Sequence, residues 1–348
     1  MSRYDAVVKM WQDWNIHTVD DLALRLDNFR ILFAYNSGKL ENAEINYHDT
    51  REIFENGKVV GYTGSTRTLF EQQNQKVCCD FLQDKIIAKE PLSIELICAV
   101  HRALTEGTYD ERRYIVNGER PGEFKKHDYV TGKNEVGSQP DEVENDLAEL
   151  IEEVNAIGAK APLKAGAYLH ARFENIHPFA DGNGRVGRTL LNYWLMINDY
   201  PPTIVYEEDR RAYYDALQAY DEQEDLTPLA QFLEAQTVKT WSRSTEGKKA
   251  APHKKLNSEC RRHTESVHDA VFLNLPRKRC KKSGIAPNGT IPDFCLFSAN
   301  DVCKRSYIKG LQVSSCFVNA QKIAHISFIA ACAAARRAMG TRNGEQET

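Results

Sequence analysis

The segment His177-Pro178-Phe179-Ala180-Asp181-Gly182-Asn183-Gly184-Arg185-Val186-Gly187-Arg188 combines a histidine, a carboxylate, three glycines and two arginines. Small residues let backbone N–H groups approach an anion closely, and the dipole at a helix start favours negative charge there. A carboxylate can bind a magnesium ion that bridges phosphate oxygens, and arginine matches phosphate geometry. A histidine can accept a proton near neutral pH. The segment therefore predicts a phosphate-binding loop that opens a helix.

Apolar residues at helical spacing flank this segment on both sides. Residues 163–174 lead into it, and residues 184–198 follow it with Leu190, Leu191 and Trp194 on one side. Further helical patterns cover residues 20–35, 66–88, 93–106, 140–156, 207–220 and 228–241. This periodicity predicts a mainly α fold for residues 1–245.

The pattern changes between Thr108 and Gln139. Four glycines there punctuate two short runs rich in β-branched and aromatic residues, Tyr114–Val116 and Tyr129–Val130. Such runs between turn residues predict a small β-hairpin inserted into the helical domain. An ordinary surface loop is the alternative.

The segment His177–Arg188 resembles the signature of the Fic family, His-Pro-Phe-x-[Asp/Glu]-Gly-Asn-Gly-Arg-x-x-Arg, and matches it at every defined position. The resemblance extends over roughly residues 20–245. It implies a Fic-type helical domain whose hairpin, the flap, aligns an extended target segment by strand addition. Arg120–Lys125 resembles the lead-in to that flap. The family resemblance therefore favours the hairpin over a plain loop.

In this family the usual reaction moves AMP from ATP to a Ser, Thr or Tyr hydroxyl of a protein, the enzyme itself included, and releases pyrophosphate. The resemblance makes His177 the general base and Asp181 the ligand of Mg²⁺ or Mn²⁺. It assigns the β-phosphate to Arg185 and the γ-phosphate to Arg188. The residues expected to contact the nucleotide are Tyr129, Val130, Thr131, Gly132, Gly182, Asn183, Gly184, Arg185, Arg188, Tyr213 and Tyr214.

Within that set, the side-chain amide of Asn183 is a candidate contact for the α-phosphate. The paired tyrosines, Tyr213 and Tyr214, could stack on adenine, because aromatic faces pack well on a base. Packing in the core is the alternative for either tyrosine.

Many Fic proteins carry an inhibitory motif, [Ser/Thr]-x-x-x-Glu-[Gly/Asn], whose glutamate pairs with the last arginine of the signature. Ser37–Asn42 matches this motif and places Glu41 opposite Arg188. Residues 242–247 match it as well, with Glu246 in the glutamate position. We favour Glu41, because it follows an amphipathic helix that can hold it in place and Leu40 can anchor it. Both remain candidates for a competitor of the γ-phosphate.

Other functions remain open on the sequence. Relatives transfer UMP, phosphocholine or phosphate, and some remove AMP from modified targets. A non-catalytic adaptor would need none of His177, Asp181 and Arg188. The expected partners are ATP and a protein with a hydroxyl side chain, and a homodimer is consistent with the resemblance.

Charge and cysteine content change along the chain, which has 348 residues and a net charge of −4. Residues 246–348 hold 18 Lys and Arg against 8 Asp and Glu, and six of the nine cysteines. We therefore expect an N-terminal helical region with the inhibitory motif over 1–64, a catalytic core over 65–245 and a basic, cysteine-containing extension over 246–348.

The extension shows no sustained period, so it is either disordered or an addition that the core does not need. Its cysteines lack the paired spacings of a zinc module, and its basic run Arg277–Lys282 is more typical of a solvated surface than of a nucleic-acid site. Residues 1–17 carry no secretory signal pattern, and the apolar run 328–335 is too short to span a bilayer. A cytoplasmic location without membrane contact is expected.

Overall fold

The computed structural model describes residues 1–129, 137–158 and 160–245. In these three ranges the chain forms ten α-helices and no β-strand, which confirms the mainly α prediction. The helices are α1 (Arg3–Asp13), α2 (Val19–Glu41), α3 (Tyr47–Asn56), α4 (Thr66–Ile87), α5 (Ile94–Thr105), α6 (Val143–Gly158), α7 (Pro162–Ile176), α8 (Asn183–Ile197), α9 (Arg210–Gln223) and α10 (Thr227–Thr245). The extension 246–348, the alternative Glu246, and Val130, Thr131 and Gly132 lie outside the described residues.

Helix α2 carries the segment that matches the inhibitory motif and packs against α8. It begins with a capping box, in which the Thr18 hydroxyl accepts from the Asp21 N–H while the Asp21 carboxylate accepts from the Thr18 N–H. Leu22, Leu26 and Phe29 bury one face of the helix. Its last residue is Glu41, so the position of that carboxylate is set by a helix of 23 residues rather than by a loop.

The core includes the interface between α7 and α8. Helix α6 packs against α7, and α5 packs against α8. Phe173, Phe179 and Leu190 are completely buried there. Burial of side chains of this size contributes about 1.5–3 kcal/mol each. The loop between α7 and α8 is therefore fixed at both ends by helices of the core.

A π-helix, Arg112–Val116, stands where the first strand of the hairpin was expected, so the prediction of a strand at Tyr114–Val116 is wrong. Local bonds explain the difference. The Asp110 carboxylate accepts from the Arg113 N–H at 2.8 Å and also pairs with the Arg113 guanidinium at 2.8 Å. The Asn117 N–H donates to the Arg112 carbonyl at 2.9 Å and closes the wide turn.

The second expected strand is only partly described. Tyr129 lies in no regular element. Its hydroxyl donates to Glu119 at 3.0 Å and accepts from Asn117 at 3.0 Å, so it is tied to the segment after the π-helix.

The helices that the structure describes include none long and apolar enough to cross a membrane.

Candidate active site

The signature forms a loop between two buried helices. Helix α7 ends at Ile176, and His177 takes the left-handed conformation with φ 51°. Gly182 has φ 85° directly before α8. Glycine adopts this conformation without a steric penalty, and a Cβ at this position would lie only 2.7 Å from Thr105 on α5. The first N–H groups of a helix have no partner within the helix. The loop can therefore present an anion-binding helix start.

Asn183 holds the loop together from inside. Its side-chain carbonyl accepts from the Phe179 N–H at 3.0 Å, and its amide donates to the Phe179 carbonyl at 2.7 Å. The residue is only 2% exposed. The side-chain carbonyl and one N–H of the amide are thus engaged within the loop. A contact of this amide with a phosphate stays a prediction. The backbone of Asn183 still belongs to the open first turn of α8.

His101, on α5, supports the loop from behind and was missed in the sequence. Its ring stacks on Phe179 with centroids 3.7 Å apart and an angle of 2°. The Gly122 N–H donates to Nδ1 at 2.8 Å, so Nε2 carries the proton and donates to the Asp181 carbonyl at 3.0 Å. Burial lowers the pKa of His101 to about 3, which keeps it neutral. A lone histidine on a helix gave no signal for this role.

His177 lines the cleft, and its imidazole ring is neutral. Burial, together with the positive charge of Lys125, lowers its pKa to about 4, while a hydrogen bond to the Glu174 backbone opposes the shift. At neutral pH the ring therefore has one nitrogen free to accept a proton. The Lys125 N–H donates to the Pro178 carbonyl at 2.9 Å and fixes the approach to the loop.

The Asp181 carboxylate lies among three guanidinium groups. Arg67 donates to Oδ2 at 2.8 Å, Arg113 lies 3.8 Å from the same oxygen, and Arg185 lies 3.7 Å from Oδ1. Burial raises the pKa of Asp181, but the charges of Arg185, Arg67 and Arg113 outweigh burial and hold it below its usual range. Asp181 is therefore ionised at neutral pH.

Arg185 is buried without saturating its donors. Its side chain is 3% exposed and lies 3.7 Å from both Glu71 and Asp181. Within the described part of the chain, Nε and Nη1 of this guanidinium find no hydrogen-bond partner. A buried guanidinium with free donors is costly unless an anion joins it. Arg185 therefore fits a phosphate ligand.

Arg188 lies one turn further along α8, and it donates three hydrogen bonds to helix α2. Its Nε donates to the Ser37 hydroxyl at 3.0 Å, and Nη2 donates to the Ser37 carbonyl at 2.9 Å and to Glu41 Oε1 at 2.7 Å. A Cβ added at Gly184 would lie 2.9 Å from Arg188 Nη1 and would collide with the Glu41 carboxylate. The signature glycine thus leaves room for this ion pair, which sits over the first turn of α8.

Asn42, the last residue of the inhibitory motif, points away from Arg188. Its amide donates to Glu71 at 2.8 Å and to the Thr68 hydroxyl at 3.0 Å. The motif therefore contacts the cleft at two places, Arg188 through Glu41 and helix α4 through Asn42.

The two tyrosines of α9 divide their roles. Tyr213 is 1% exposed, and its hydroxyl is 2.7 Å from His170 Nε2, so it belongs to the core. Tyr214 is 43% exposed, and the two rings lie 5.0 Å apart. Of the pair, Tyr214 is the side chain that is free to stack on a bound base.

These residues line one cleft of about 1080 Å³. The members of the expected site that line it are Glu41, Asn42, Tyr129, His177, Asp181, Gly182, Asn183, Gly184, Arg185, Arg188, Tyr213 and Tyr214. Ser37 reaches the site only through Arg188. Arg67, Glu71 and Glu174 also line the cleft and were not predicted.

Glu174 is the most perturbed acid of the cleft. Burial raises its pKa to about 8. Its Oε1 is buried 3.9 Å from His170 Nδ1, and neither atom has a hydrogen-bond partner among the residues described. The position one turn before His177 was the only hint in the sequence, and helical spacing alone does not separate it from a surface glutamate.

Comparison with known proteins identifies relatives of this chain. Residues 91–195 match the Fic/DOC family. Protein adenylyltransferase fic-1 of Caenorhabditis briggsae is 28% identical over 208 residues, 58% of this chain and 38% of that protein. Protein adenylyltransferase Fic of Drosophila persimilis is 30% identical over 217 residues, 59% of this chain and 39% of that protein. This chain therefore spans about two fifths of the length of these curated relatives.

Solved structures share the fold. A Fic-domain-containing signalling protein of Bacteroides thetaiotaomicron is 24% identical with a TM-score of 0.61, and the match covers 73% of this chain and 100% of that one. A fragment of Fic-1 from Caenorhabditis elegans is 24% identical with a TM-score of 0.57, covering 69% and 70% of the two chains. Together with the signature loop, these similarities show that residues 91–195 are similar to the Fic/DOC family and that the helical fold is the one seen in the solved Fic structures.

Proposed function

We propose that the cleft binds ATP and transfers AMP to a Ser, Thr or Tyr hydroxyl of a protein, which can be the chain itself. One observation carries the proposal: three groups line the same cleft at the start of α8. They are a neutral His177, an ionised Asp181 and a buried Arg185 with free donors. The names of the curated relatives, protein adenylyltransferases, support the same reaction.

In the proposed reaction the target hydroxyl oxygen attacks the α-phosphorus of ATP. A new oxygen–phosphorus bond forms, the bond from the α-phosphorus to the bridging oxygen breaks, and pyrophosphate leaves with that electron pair. His177 takes the hydroxyl proton, because a hydroxyl is a weak nucleophile until its proton is removed. The N–H groups of α8 and the Arg185 guanidinium stabilise the charge on the phosphates.

The carboxylate of Asp181 suits a divalent cation such as Mg²⁺ or Mn²⁺, which supplies charge neutralisation between phosphate oxygens when bound. No group of three or more His, Cys, Asp or Glu side chains is placed to hold a metal in the ranges that the structure describes. A single ionised carboxylate in the cleft fits a cation that takes its remaining ligands from phosphates and water, as Mg²⁺ at nucleotide sites does.

Glu41 would inhibit this reaction by competing with the γ-phosphate for Arg188. It bonds the guanidinium that the γ-phosphate would need, and a charge-assisted bond of this kind contributes roughly 1.5–3 kcal/mol. Productive binding of ATP must displace it. We therefore expect Glu41→Gly to raise AMP transfer about tenfold or more.

The test is transfer of label from ATP to protein by the full chain with Mg²⁺, comparing α-phosphate and γ-phosphate label. AMP transfer predicts α-label on Glu41→Gly that is lost in Glu41→Gly/His177→Ala. Label from the γ-phosphate instead would indicate a kinase, and label from UTP or CDP-choline alone would indicate another transferred group. Loss of α-label from protein that was modified beforehand would indicate removal of AMP.

A matched control separates the loss of inhibition by Glu41 from a general gain in activity. Glu44→Gly changes an exposed glutamate three residues beyond Glu41 that bonds Thr68 and not Arg188. We expect it to leave α-label near the wild-type level. An equal gain in both variants would argue against a specific role of the Glu41–Arg188 pair.

A further inference from the structure

The strongest contact of the Asp181 carboxylate is made by a residue outside the signature. Arg67, in the first turn of α4, donates from Nη2 to Asp181 Oδ2 at 2.8 Å, across 114 positions of sequence. The two arginines that also face this carboxylate, Arg113 and Arg185, stand 3.8 and 3.7 Å away. Arg67 is therefore the cation that Asp181 holds in this structure.

A second carboxylate clamps the Arg67 guanidinium. Its Nε donates to Glu71 Oε1 at 3.0 Å, and the Glu71 side chain is only 6% exposed. Glu71 in turn accepts from the Asn42 amide at 2.8 Å. Because two acids bond different nitrogens of one planar guanidinium, its orientation toward Asp181 is set by two contacts.

The side chain of Arg67 nevertheless lies at the rim of the cleft, 40% exposed, and can move out. A divalent cation on Asp181 would share the carboxylate with Arg67, which bonds Oδ2, and its charge would repel a guanidinium at hydrogen-bond distance. Arg67 and the metal therefore cannot both keep their full contact with Asp181.

We propose that Arg67 is an internal counter-ion of Asp181 that competes with the divalent cation, so that the strength of the Arg67–Asp181 pair sets the metal concentration the site requires. The inference rests on the proposed nucleotide site, since the cation binds there together with phosphates. It assigns Arg67 as a positioning residue, with Glu71 as its anchor.

The test measures metal binding rather than turnover. Mn²⁺ is titrated into the full chain in the presence of saturating ADP, and EPR follows the free Mn²⁺ concentration at which half of the protein–ADP complex carries the metal. ADP lacks the γ-phosphate, so the Glu41–Arg188 pair does not interfere. Arg67→Met, which keeps the length but removes the charge, is expected to lower this concentration about threefold or more.

Two further variants make the comparison specific. Arg113→Met removes a cation that is farther from Asp181 and has its own partner, Asp110, at 2.8 Å, so its effect should be smaller. Arg51→Met, in an exposed pair with Glu55 on α3, should change nothing. In an Asp181→Asn background, Arg67→Met should no longer alter Mn²⁺ binding.

An unchanged Mn²⁺ requirement in a folded Arg67→Met protein would overturn the inference. A higher requirement would overturn it too, because it would show that Arg67 orients Asp181 for the metal. Arg67→Lys, which retains a charge beside Asp181, guards against a folding defect and should remain close to the wild type. Failure of the wild type to bind ADP at all would overturn the proposed function, and this inference with it.

Discussion

Arg188 shows how one buried cation is satisfied by residues far away in the sequence. Its guanidinium bonds Ser37 twice and Glu41 once, so three of its acceptors come from the last two turns of α2. A buried guanidinium left without partners would be strongly destabilising. The pair is consistent with a competitor of the γ-phosphate, and the residues around it give separate tests of that role.

Ser37→Ala removes one of these acceptors and leaves the other two. We expect AMP transfer to rise, but by less than in Glu41→Gly, because a single neutral acceptor contributes roughly 0.5–1.5 kcal/mol. Transfer of α-label to protein checks the order of the two variants. A loss of activity in Ser37→Ala would instead show that the hydroxyl holds Arg188 in a productive position.

His177 gives a prediction on pH. With its pKa lowered to about 4, the base is neutral throughout the physiological range. The acid limb of kcat/KM that reports His177 should therefore fall near pH 4 rather than near 6.5, with a flat profile around neutrality. Lys125→Met removes a positive charge beside the ring and should move that limb to higher pH. A limb near 6.5 in the wild type would contradict the buried, neutral base.

Helices α2 and α8 meet at Gly184, and their contact depends on the missing side chain. We expect Gly184→Ala to destabilise the wild type by about 1–3 kcal/mol, because the added Cβ collides with the Glu41 carboxylate and crowds Arg188. In the Glu41→Gly background the main clash is gone, so the same substitution should cost less. Urea unfolding of the four proteins of this double-mutant cycle measures the coupling. Equal losses in both backgrounds would contradict the contact.

At the scale of the elements, the helix patterns were legible because apolar residues recur at helical spacing and side-chain oxygens cap the starts of α2 and α5. The π-helix at Arg112–Val116 was not, because β-branched residues favour a strand on average. The bonds from Asp110 to Arg113 decide the local conformation there, and a propensity summed over a short run does not include them.

At the level of the tertiary fold, burial keeps three of the described histidines neutral and one described glutamic acid protonated. The pKa values of His101, His170 and His177 are lowered to about 3, 3 and 4, and that of Glu174 is raised to about 8. In the unfolded chain the histidines bind protons below about pH 6.5, and the glutamate releases its proton above about 4.3. The two kinds of group thus act on stability with opposite sign.

We therefore expect these groups to give a maximum of stability near pH 6.5. Below it the unfolded chain binds more protons through the three histidines, so the free energy of unfolding falls as pH falls. Above it the folded chain holds the extra proton on Glu174, so the free energy falls as pH rises toward 8. Urea unfolding between pH 4 and 8 measures both arms. Glu174→Gln should flatten the alkaline arm and make the acid arm steeper, because Glu174 opposes the histidines between about pH 4.3 and 6.5. An unchanged alkaline arm would contradict the buried acid.

The amino-acid sequence alone was enough to predict the helical class, the signature loop with His177, Asp181 and the two arginines, and the candidacy of Glu41. These features are local: a period of 3.6 residues, a capping residue, or a motif of contiguous positions. Each can be read without knowing what lies across the core.

The groups that contact those residues became known from the packing of the helices. It placed Arg67 on Asp181 and His101 behind Phe179, and it turned the Asn183 side chain into the loop. It also separated Tyr213, buried in the core, from Tyr214 at the cleft. The physical reason is that these contacts join helices distant in sequence. Their geometry depends on how the helices pack, and that packing leaves no periodic trace in the chain.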